Sequence, residues 1–458
     1  MVGSIPEIKK ERRMKMRIRR LVAIWAAKLI STACKISGRQ GVTLAGKVAL
    51  KIDPKILHDL AAQVRGKIFV VCGTNGKTTT NNLLCSAIES EGKKLVCNRT
   101  GSNMLQGIVA AFVLAAKNNG KLDADYACLE IDEASTLRVF PHLKPDYMVL
   151  TNLFRDQLDR YGEIDSTMNM LDRAMKMAPD MTVIVNGDEA LTAYLAMESG
   201  NKYKTYGISE RVFDKASDRE IRDGMFCKKC GARLEYDFYH YGQIGMYHCP
   251  DCDFKRPAID FDASNIDMTD GLSFDVEGNH ISVNYRGFYN IYNILAVYSA
   301  LRSAGFKNTD LGAVLKKFNP QNGRMEQFDI NGTHILLNLA KNPAGFNQNV
   351  LAVMDDKKDK DIIIVINDNA GDGTDVSWLW DVDFDQFADA SVKSITTSGI
   401  RALDMQLRMK YVDIEAEAVT DVKQAIEKRL ADGCGNLYVL VNYTALFSTR
   451  DILVNMQK

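Results

Sequence analysis

Short apolar runs alternate with helical stretches through the middle of the chain. Residues 68–71, 126–131, 147–150 and 182–185 are compact runs of strand-forming residues, and 78–91 carries helical spacing after the first of them. Strands of this kind separated by helices predict a parallel sheet covered on both faces. From about 205 to 285 the rhythm gives way to a polar, aromatic, cysteine-bearing stretch, which reads as an insertion followed by antiparallel strands. A helix around 290–304 restores the rhythm, Asn319-Pro320-Gln321-Asn322-Gly323 breaks it, and a second α/β segment carries the runs 361–366 and 437–441.

The start of the chain has a different pattern. Ile18, Val22, Trp25 and Leu29 recur at helical spacing, with Arg13, Arg17 and Arg20 elsewhere on the wheel. From Lys9 to Lys35 there are ten Lys/Arg against a single acid, Glu11. This is a basic amphipathic helix. Its stripe is expected to pack on the body of the protein, and the same pattern suits peripheral contact with an anionic membrane surface.

Composition narrows the class. A chain of 458 residues is long enough for two to four domains at about 150 residues each. With 58 Lys+Arg against 58 Asp+Glu and 46% hydrophobic residues, it is an ordinary globular protein without the bulk charge of a polyanion binder. The apolar stretch 21–27 stops at Lys28, far short of the roughly 20 residues that span a bilayer, so no transmembrane helix is expected. Basic residues leading to Ser31-Thr32-Ala33-Cys34 imitate a secretory signal. An ATP site would make no sense outside the cell, so a cytoplasmic location is expected, with a peripheral place at the inner membrane face open to the basic helix.

Three motifs carry chemistry. Gly73-Thr74-Asn75-Gly76-Lys77-Thr78-Thr79-Thr80 stands between a strand and a helix. Glycines let backbone N–H groups turn toward phosphate oxygens, Lys77 can reach the outer phosphates, and Thr78 can ligate magnesium. Val71 stands where the usual motif has its first glycine. The second motif is Cys227-Lys228-Lys229-Cys230 followed after eighteen residues by Cys249-Pro250-Asp251-Cys252. Two such knuckles place four thiolates around a structural zinc, with no position left for water. The third is the loop 367–381, rich in Asp and Gly, directly after the run 361–366. Catalytic groups gather at such strand ends. A calcium loop fails on spacing, because counting from Asp368 position three is Ala370 and position twelve is Leu379.

Taken in order, these segments resemble the Mur ligase superfamily. Besides the Gly-Thr-x-Gly-Lys-Thr-Thr form of the P-loop, Glu130-Ile131-Asp132-Glu133-Ala134-Ser135 is similar to its acidic metal-site segment. Thr151-Asn152-Leu153 with Asp156-Gln157-Leu158-Asp159 is similar to its T-N-x-x-x-D-H-L-D. Val185-Asn186-Gly187-Asp188 resembles a strand end of the family. Gly287 to Asn293 resembles the helix start that meets adenine, and Gly323-Arg324-Met325-Glu326 resembles the opening of the C-terminal domain. Gln157 and Tyr289 replace two histidines of the pattern. Glutamine is a poorer ligand than imidazole for a transition metal yet acceptable to magnesium.

The resemblance implies a P-loop central domain at 66–320 with an inserted four-cysteine zinc ribbon at about 205–260, preceded by a basic segment 1–65 and followed by a smaller Rossmann-like α/β domain at 321–458. It implies ATP held by Gly73 to Thr79, Asn290, Asn293 and Arg324, and magnesium held by Thr78 and Glu133. Only some 65 residues precede the P-loop, too few for a nucleotide-sugar domain, so a lipid-linked acceptor is expected.

The ribbon and acidic loop together resemble the amidating branch of the superfamily. There a ligase-like chain activates the α-carboxylate of D-glutamate in the stem peptide of lipid II, and a GatD-like glutaminase subunit delivers ammonia. An aspartate of the loop completes the partner's site, Asp375 by position, with Asp372 second. Neither Cys72 nor Cys434 sits in a glutaminase-type nucleophile turn, which agrees with a separate glutaminase. Three rivals stay open: a stand-alone amino-acid ligase, a zinc-ribbon ATPase that binds nucleic acid, and a silent scaffold for the glutaminase.

Overall fold

The computed structural model describes residues 5–37, 41–99, 102–155, 164–213, 222–269, 271–284, 287–307, 311–317, 323 and 325–457, with side chains in the first helix from residue 17 onward. Strands β1 (Ile68–Cys72), β2 (Leu95–Cys97), β3 (Tyr126–Glu130), β4 (Tyr147–Leu150), β5 (Thr182–Asn186), β6 (Lys202–Ile208), β9 (Phe261–Asp267), β10 (Leu272–Val276) and β11 (Asn279–Val283) form one sheet. Its order is β11-β10-β9-β6-β5-β4-β1-β3-β2. From β2 to β9 neighbouring strands are parallel; β9, β10 and β11 pair antiparallel.

All five residues of β1 are buried, as a central parallel strand requires. After β1 the chain moves through β2 and β3 on one side, then crosses to β4, β5 and β6 on the other. The carboxyl end of β1 is therefore the switch point of this sheet, where open α/β sheets bind ligands.

A second sheet runs β12 (Glu326–Ile330), β13 (Thr333–Leu339), β17 (Asn436–Val441), β14 (Lys360–Val365), β15 (Val392–Ser398), β16 (Glu417–Ala418). Only β12 is antiparallel. Between β6 and β9 lies the hairpin of β7 (Glu235–Tyr241) and β8 (Ile244–His248). The polar stretch after residue 205 thus splits three ways: β6 completes the parallel run through Ile208, the hairpin stands apart, and β9 to β11 rejoin the large sheet.

The first helix, Ile5–Ile36, corrects the expected packing. Ala23, Ile24 and Ala27 are fully buried, whereas Ile18, Val22, Trp25 and Leu29 face solvent. The cause lies in the passage 41–51, for which no element was expected and which forms the helix Val42–Ile52. Ala45, Gly46 and Ala49 of that helix are buried. A side chain at Gly46 would collide with the Gln106 carbonyl of the helix Leu105–Ala115, so these helices meet through small residues. The alanine face of the first helix suits such a close approach, and its bulky stripe is left outside. No described helix is long and apolar enough to cross a membrane.

Candidate functional site

The P-loop turns at the end of β1. Gly73 has φ of +122° and Gly76 of +83°, conformations that favour glycine, and an added Cβ would strike Thr151 Oγ1 at the first and Asn293 Oδ1 at the second. The helix Lys77–Ser90 follows directly and presents its N-terminus to the loop.

Side chains from the segment after β4 hold the loop open. The Asn75 N–H donates to Asn152 Oδ1 at 2.9 Å, and Thr151 Oγ1 and Asn152 Nδ2 donate to the Asn75 carbonyl at 2.7 and 3.1 Å. Thr74 Oγ1 bonds the Phe154 carbonyl and accepts from the Phe154 N–H, both at 3.0 Å.

Lys77 is buried and points back across the loop. Its Nζ donates to the Gly73 carbonyl, to the Thr74 carbonyl at 3.3 Å and to Glu133 Oε1 at 3.0 Å. Glu133 Oε1 also accepts from the Gly73 N–H at 2.7 Å. Burial pushes the Glu133 carboxyl up, and the cations of Lys77 and Lys341 oppose it. The ion pair therefore stores a cation where phosphate oxygens would arrive.

Glu130, at the end of β3, adds a feature that the sequence reading passed over. Its Oε1 accepts from Asn103 Nδ2 at 3.1 Å, while Oε2 is buried without a hydrogen-bond partner among the described residues. A buried carboxylate oxygen left open beside a P-loop fits a hard cation such as magnesium. Thr78, the second residue of the P-loop helix, is half-buried.

Asn290 and Asn293 are buried at the start of the helix Tyr289–Ser303. Asn293 Nδ2 donates to Asn290 Oδ1 at 3.2 Å, and Thr80 Oγ1 donates to Asn293 Oδ1 at 3.4 Å. Asn293 thus meets the P-loop, and Asn290 meets Asn293. Arg324, Asp156 and Gln157 lie outside the described residues.

The second sheet supplies two residues that sequence reasoning missed, Lys341 and Asn342. Asn342 caps the helix Pro343–Asp355 through the Gly345 N–H at 2.8 Å and exchanges side-chain hydrogen bonds with Asn75. The signal was available: an Asn before a Pro, after an apolar run, is the start of a helix at a strand end.

The acidic loop separates its two favoured aspartates. Asp372 is buried, accepts from the Thr444 N–H at 2.7 Å and from the Thr444 hydroxyl, and burial raises its carboxyl. Asp375 is exposed, and the Ser377 N–H, at 2.8 Å, holds it below the usual carboxylate range. Asp381 closes the loop by accepting from Arg155 Nη2 at 2.6 Å, which ties it to the segment after β4. Exposed Leu403 and Leu407 lie on the helix Ala402–Lys410 and exposed Tyr411 caps its end, with the Trp380 ring edge-on to Tyr411.

The four cysteines of the two knuckles come together. Cys227 and Cys252 Sγ are 3.6 Å apart, and Cys230 and Cys249 Sγ 3.4 Å; all four sulfurs lie within 4.8 Å of one another. Tetrahedral Zn–S bonds of about 2.3 Å require S···S separations near 3.8 Å, so this donor set fits zinc. Cys72, by contrast, is fully buried and its thiol is pushed far up, the opposite of a reactive nucleophile.

This layout, a P-loop at the switch point of a large sheet facing a second, mostly parallel sheet, is the Mur ligase-type α/β fold. A pseudomurein peptide ligase type C from Methanothermus fervidus superposes with a TM-score of 0.69 at 20% identity, covering 87% of this chain and 80% of that one. Residues 71–247 match the Mur ligase middle domain, and residues 339–446 match the MurT ligase C-terminal family.

The subunit MurT of the glutamine-hydrolysing lipid II isoglutaminyl synthase of Staphylococcus aureus (strain COL) is 35% identical over 433 residues, which is 94% of this chain and 96% of that one. Its counterpart from Streptococcus pneumoniae (strain ATCC BAA-255 / R6) is 33% identical over 423 residues, 91% and 93% of the two chains. The chain belongs to this family of MurT subunits, and so to the ligases that build peptidoglycan.

Proposed function

We propose that the chain is the synthase subunit that amidates the α-carboxylate of D-glutamate in the lipid II stem peptide, giving D-isoglutamine, with ammonia from a GatD-like glutaminase partner. The full-length likeness to MurT subunits carries this reading. A carboxylate is a poor electrophile because its charge is delocalised and its leaving group is bad. Bound ATP with magnesium would supply the phosphoryl group that converts it to an acyl phosphate, which ammonia then opens to the amide.

The chain's residues serve that transfer by position. The amides of Gly73 to Thr79 receive the phosphates, and Lys77, released from Glu133, stabilises the charge that moves. Thr78 and Glu133 are assigned to magnesium, with the open oxygen of Glu130 as an added ligand. Asn290 and Asn293 are assigned to adenine and Arg324 to the phosphates. The four cysteines are assigned to a structural zinc in a ribbon at about 205–260. The P-loop unit 66–320 and the unit 321–458 are taken as separate domains.

Asp375 is assigned to the partner's active site, because it is exposed and ionised where Asp372 is bound into the fold. The apolar row Leu403, Leu407 and Tyr411 near this loop gives the glutaminase a surface to cover.

The test is an amidation assay with lipid II, glutamine, ATP and the co-purified glutaminase, read as conversion of carboxyl to carboxamide by mass spectrometry. With heavy oxygen in the acceptor carboxylate, label should appear in released orthophosphate. Label that stays entirely with the acceptor defeats the acyl phosphate.

A further inference from the structure

The outer face of the first helix bears an apolar stripe that no described residue covers. Ile18 is 53% exposed, Val22 46%, Trp25 51%, Leu29 71% and Ile36 83%. At about 100° per residue these five fall within one narrow sector, and at 1.5 Å per residue the stripe is about 27 Å long. Arg17 and Lys35 lie along one flank and Arg19 along the other, all three exposed. From residue 17 to 36 there is no Asp or Glu.

The helix is fastened from behind. Arg19 donates to the Ile52 carbonyl at 2.8 and 3.1 Å, and Arg20 pairs with Asp59. Lys28 Nζ donates to the Ala116 carbonyl at 2.6 Å, and Trp25 Nε1 to the Asn118 carbonyl at 3.0 Å. The indole is thus anchored by its polar edge with half its surface turned out. Burying the stripe against the body would require turning over a helix whose alanine face is already packed.

We infer that this stripe lies flat on an anionic lipid surface, with Trp25 and the aliphatic side chains at the headgroup boundary and the flanking cations on the lipid phosphates. The shape decides among occupants. A protein partner of ordinary kind covers about 800 Å² per side, which a stripe one residue wide does not offer. In an isologous pairing of two copies the same cations would face one another. A bilayer surface accepts a long narrow apolar row and rewards its basic flanks. Exposed Lys47, Lys51 and Lys55 on the neighbouring segment extend the positive charge beyond the helix. This face would bind lipid whatever reaction the P-loop serves, so its failure and the failure of the amidation reading are separate events.

The experiment is flotation of the full chain with vesicles of phosphatidylcholine, with and without phosphatidylglycerol, at low and high salt. The parent should float with the anionic vesicles and less so in high salt. Val22→Glu with Leu29→Glu, both on the exposed face of the helix, should weaken this partition at least about tenfold, since each change removes an aliphatic side chain from the lipid. The variant must melt as the parent does; should it not, Trp25→Ser with Ile36→Ser is the replacement and must show the same loss. No flotation of the parent, or equal flotation of a folded variant, overturns the inference. So does a change from dimer to monomer in the variant with lipid binding unchanged, which would assign the stripe to a second copy.

Discussion

Asn75 in the P-loop and Asn342 in the second sheet's first helix cap exchange a pair of side-chain hydrogen bonds across 267 residues of sequence, Nδ2 of each donating to Oδ1 of the other at 3.3 and 3.1 Å. The loop that would receive phosphate is thereby joined to the part of the chain that carries the acidic loop. Asn342 is almost wholly buried and Asn75 half-buried, so the pair is partly shielded from competing water.

Asn342→Ala should cost about 1 kcal/mol through the lost cap and weaken Mg-ATP binding as well. A double-mutant cycle with Asn75→Ala, read by nucleotide affinity, should give a coupling of about 1 kcal/mol. Additive effects of the two changes would mean that the bridge does not serve the nucleotide.

Asp375→Asn should reduce glutamine-dependent amidation at least about a hundredfold, by analogy with the loss of an orienting carboxylate in other triads. Amidation driven by added ammonium chloride should hardly change. Asp372→Asn should behave differently: one acceptor facing Thr444 becomes a donor, stability falls by about 1–3 kcal/mol, and both nitrogen sources are used less well. Parallel assays with glutamine and ammonium separate the two aspartates.

The purified chain should contain stoichiometric zinc by elemental analysis. Cys249→Ser should release it and lower the unfolding free energy by an amount on the order of 4 kcal/mol, measured by thermal melting. A metal-free parent with an unchanged melting point would remove zinc from this cluster.

Much of this was readable from the chain. The runs 68–71, 126–131, 147–150 and 182–185 became β1, β3, β4 and β5, because buried parallel strands are continuous apolar runs that few other structures use. β6, Lys202–Ile208, was obscured because its first three residues are exposed, two of them lysines, and burial begins only at Thr205. The first helix was recognised, but its stripe faced the wrong way. Hydrophobic size suggested the inward face, whereas the face that is buried carries Ala23, Ile24 and Ala27.

At the site, the local motif sets Lys77 and Thr78 on one turn, since a phosphate loop is built from neighbours in sequence, whereas Asn293, which meets Thr80 across 213 residues, was suggested only by the family resemblance. Asn342 depends on a contact 267 residues away, and the orphaned oxygen of Glu130 is visible only once its surroundings are built.

His240 supplies a pH signature. It is buried among Phe238, Phe288 and Tyr292, bonded to the Ile208 carbonyl at 3.2 Å, and burial lowers it to about 4. Between pH 6.5 and about 4 the unfolded chain binds a proton that the folded chain refuses. The contribution of this residue is therefore complete above pH 6.5 and is lost as pH falls, by up to about 1.4 kcal/mol per pH unit. His240→Phe should begin somewhat less stable at neutral pH and decline less steeply toward pH 4.5 in urea titrations. Identical slopes for parent and variant would contradict this assignment.

Gln243 sits in the turn between β7 and β8, where its amide donates to the Leu153 carbonyl at 2.7 Å and to Glu189 Oε1 at 2.8 Å, while its oxygen accepts from the Gly224 N–H at 2.7 Å. Leu153 directly precedes Phe154, the clasp of Thr74. A hairpin too small to have much of a core is thus a buttress: if the thiols of Cys227, Cys230, Cys249 and Cys252 that flank it are oxidised, the damage is passed on through one amide to the segment that clasps the phosphate loop.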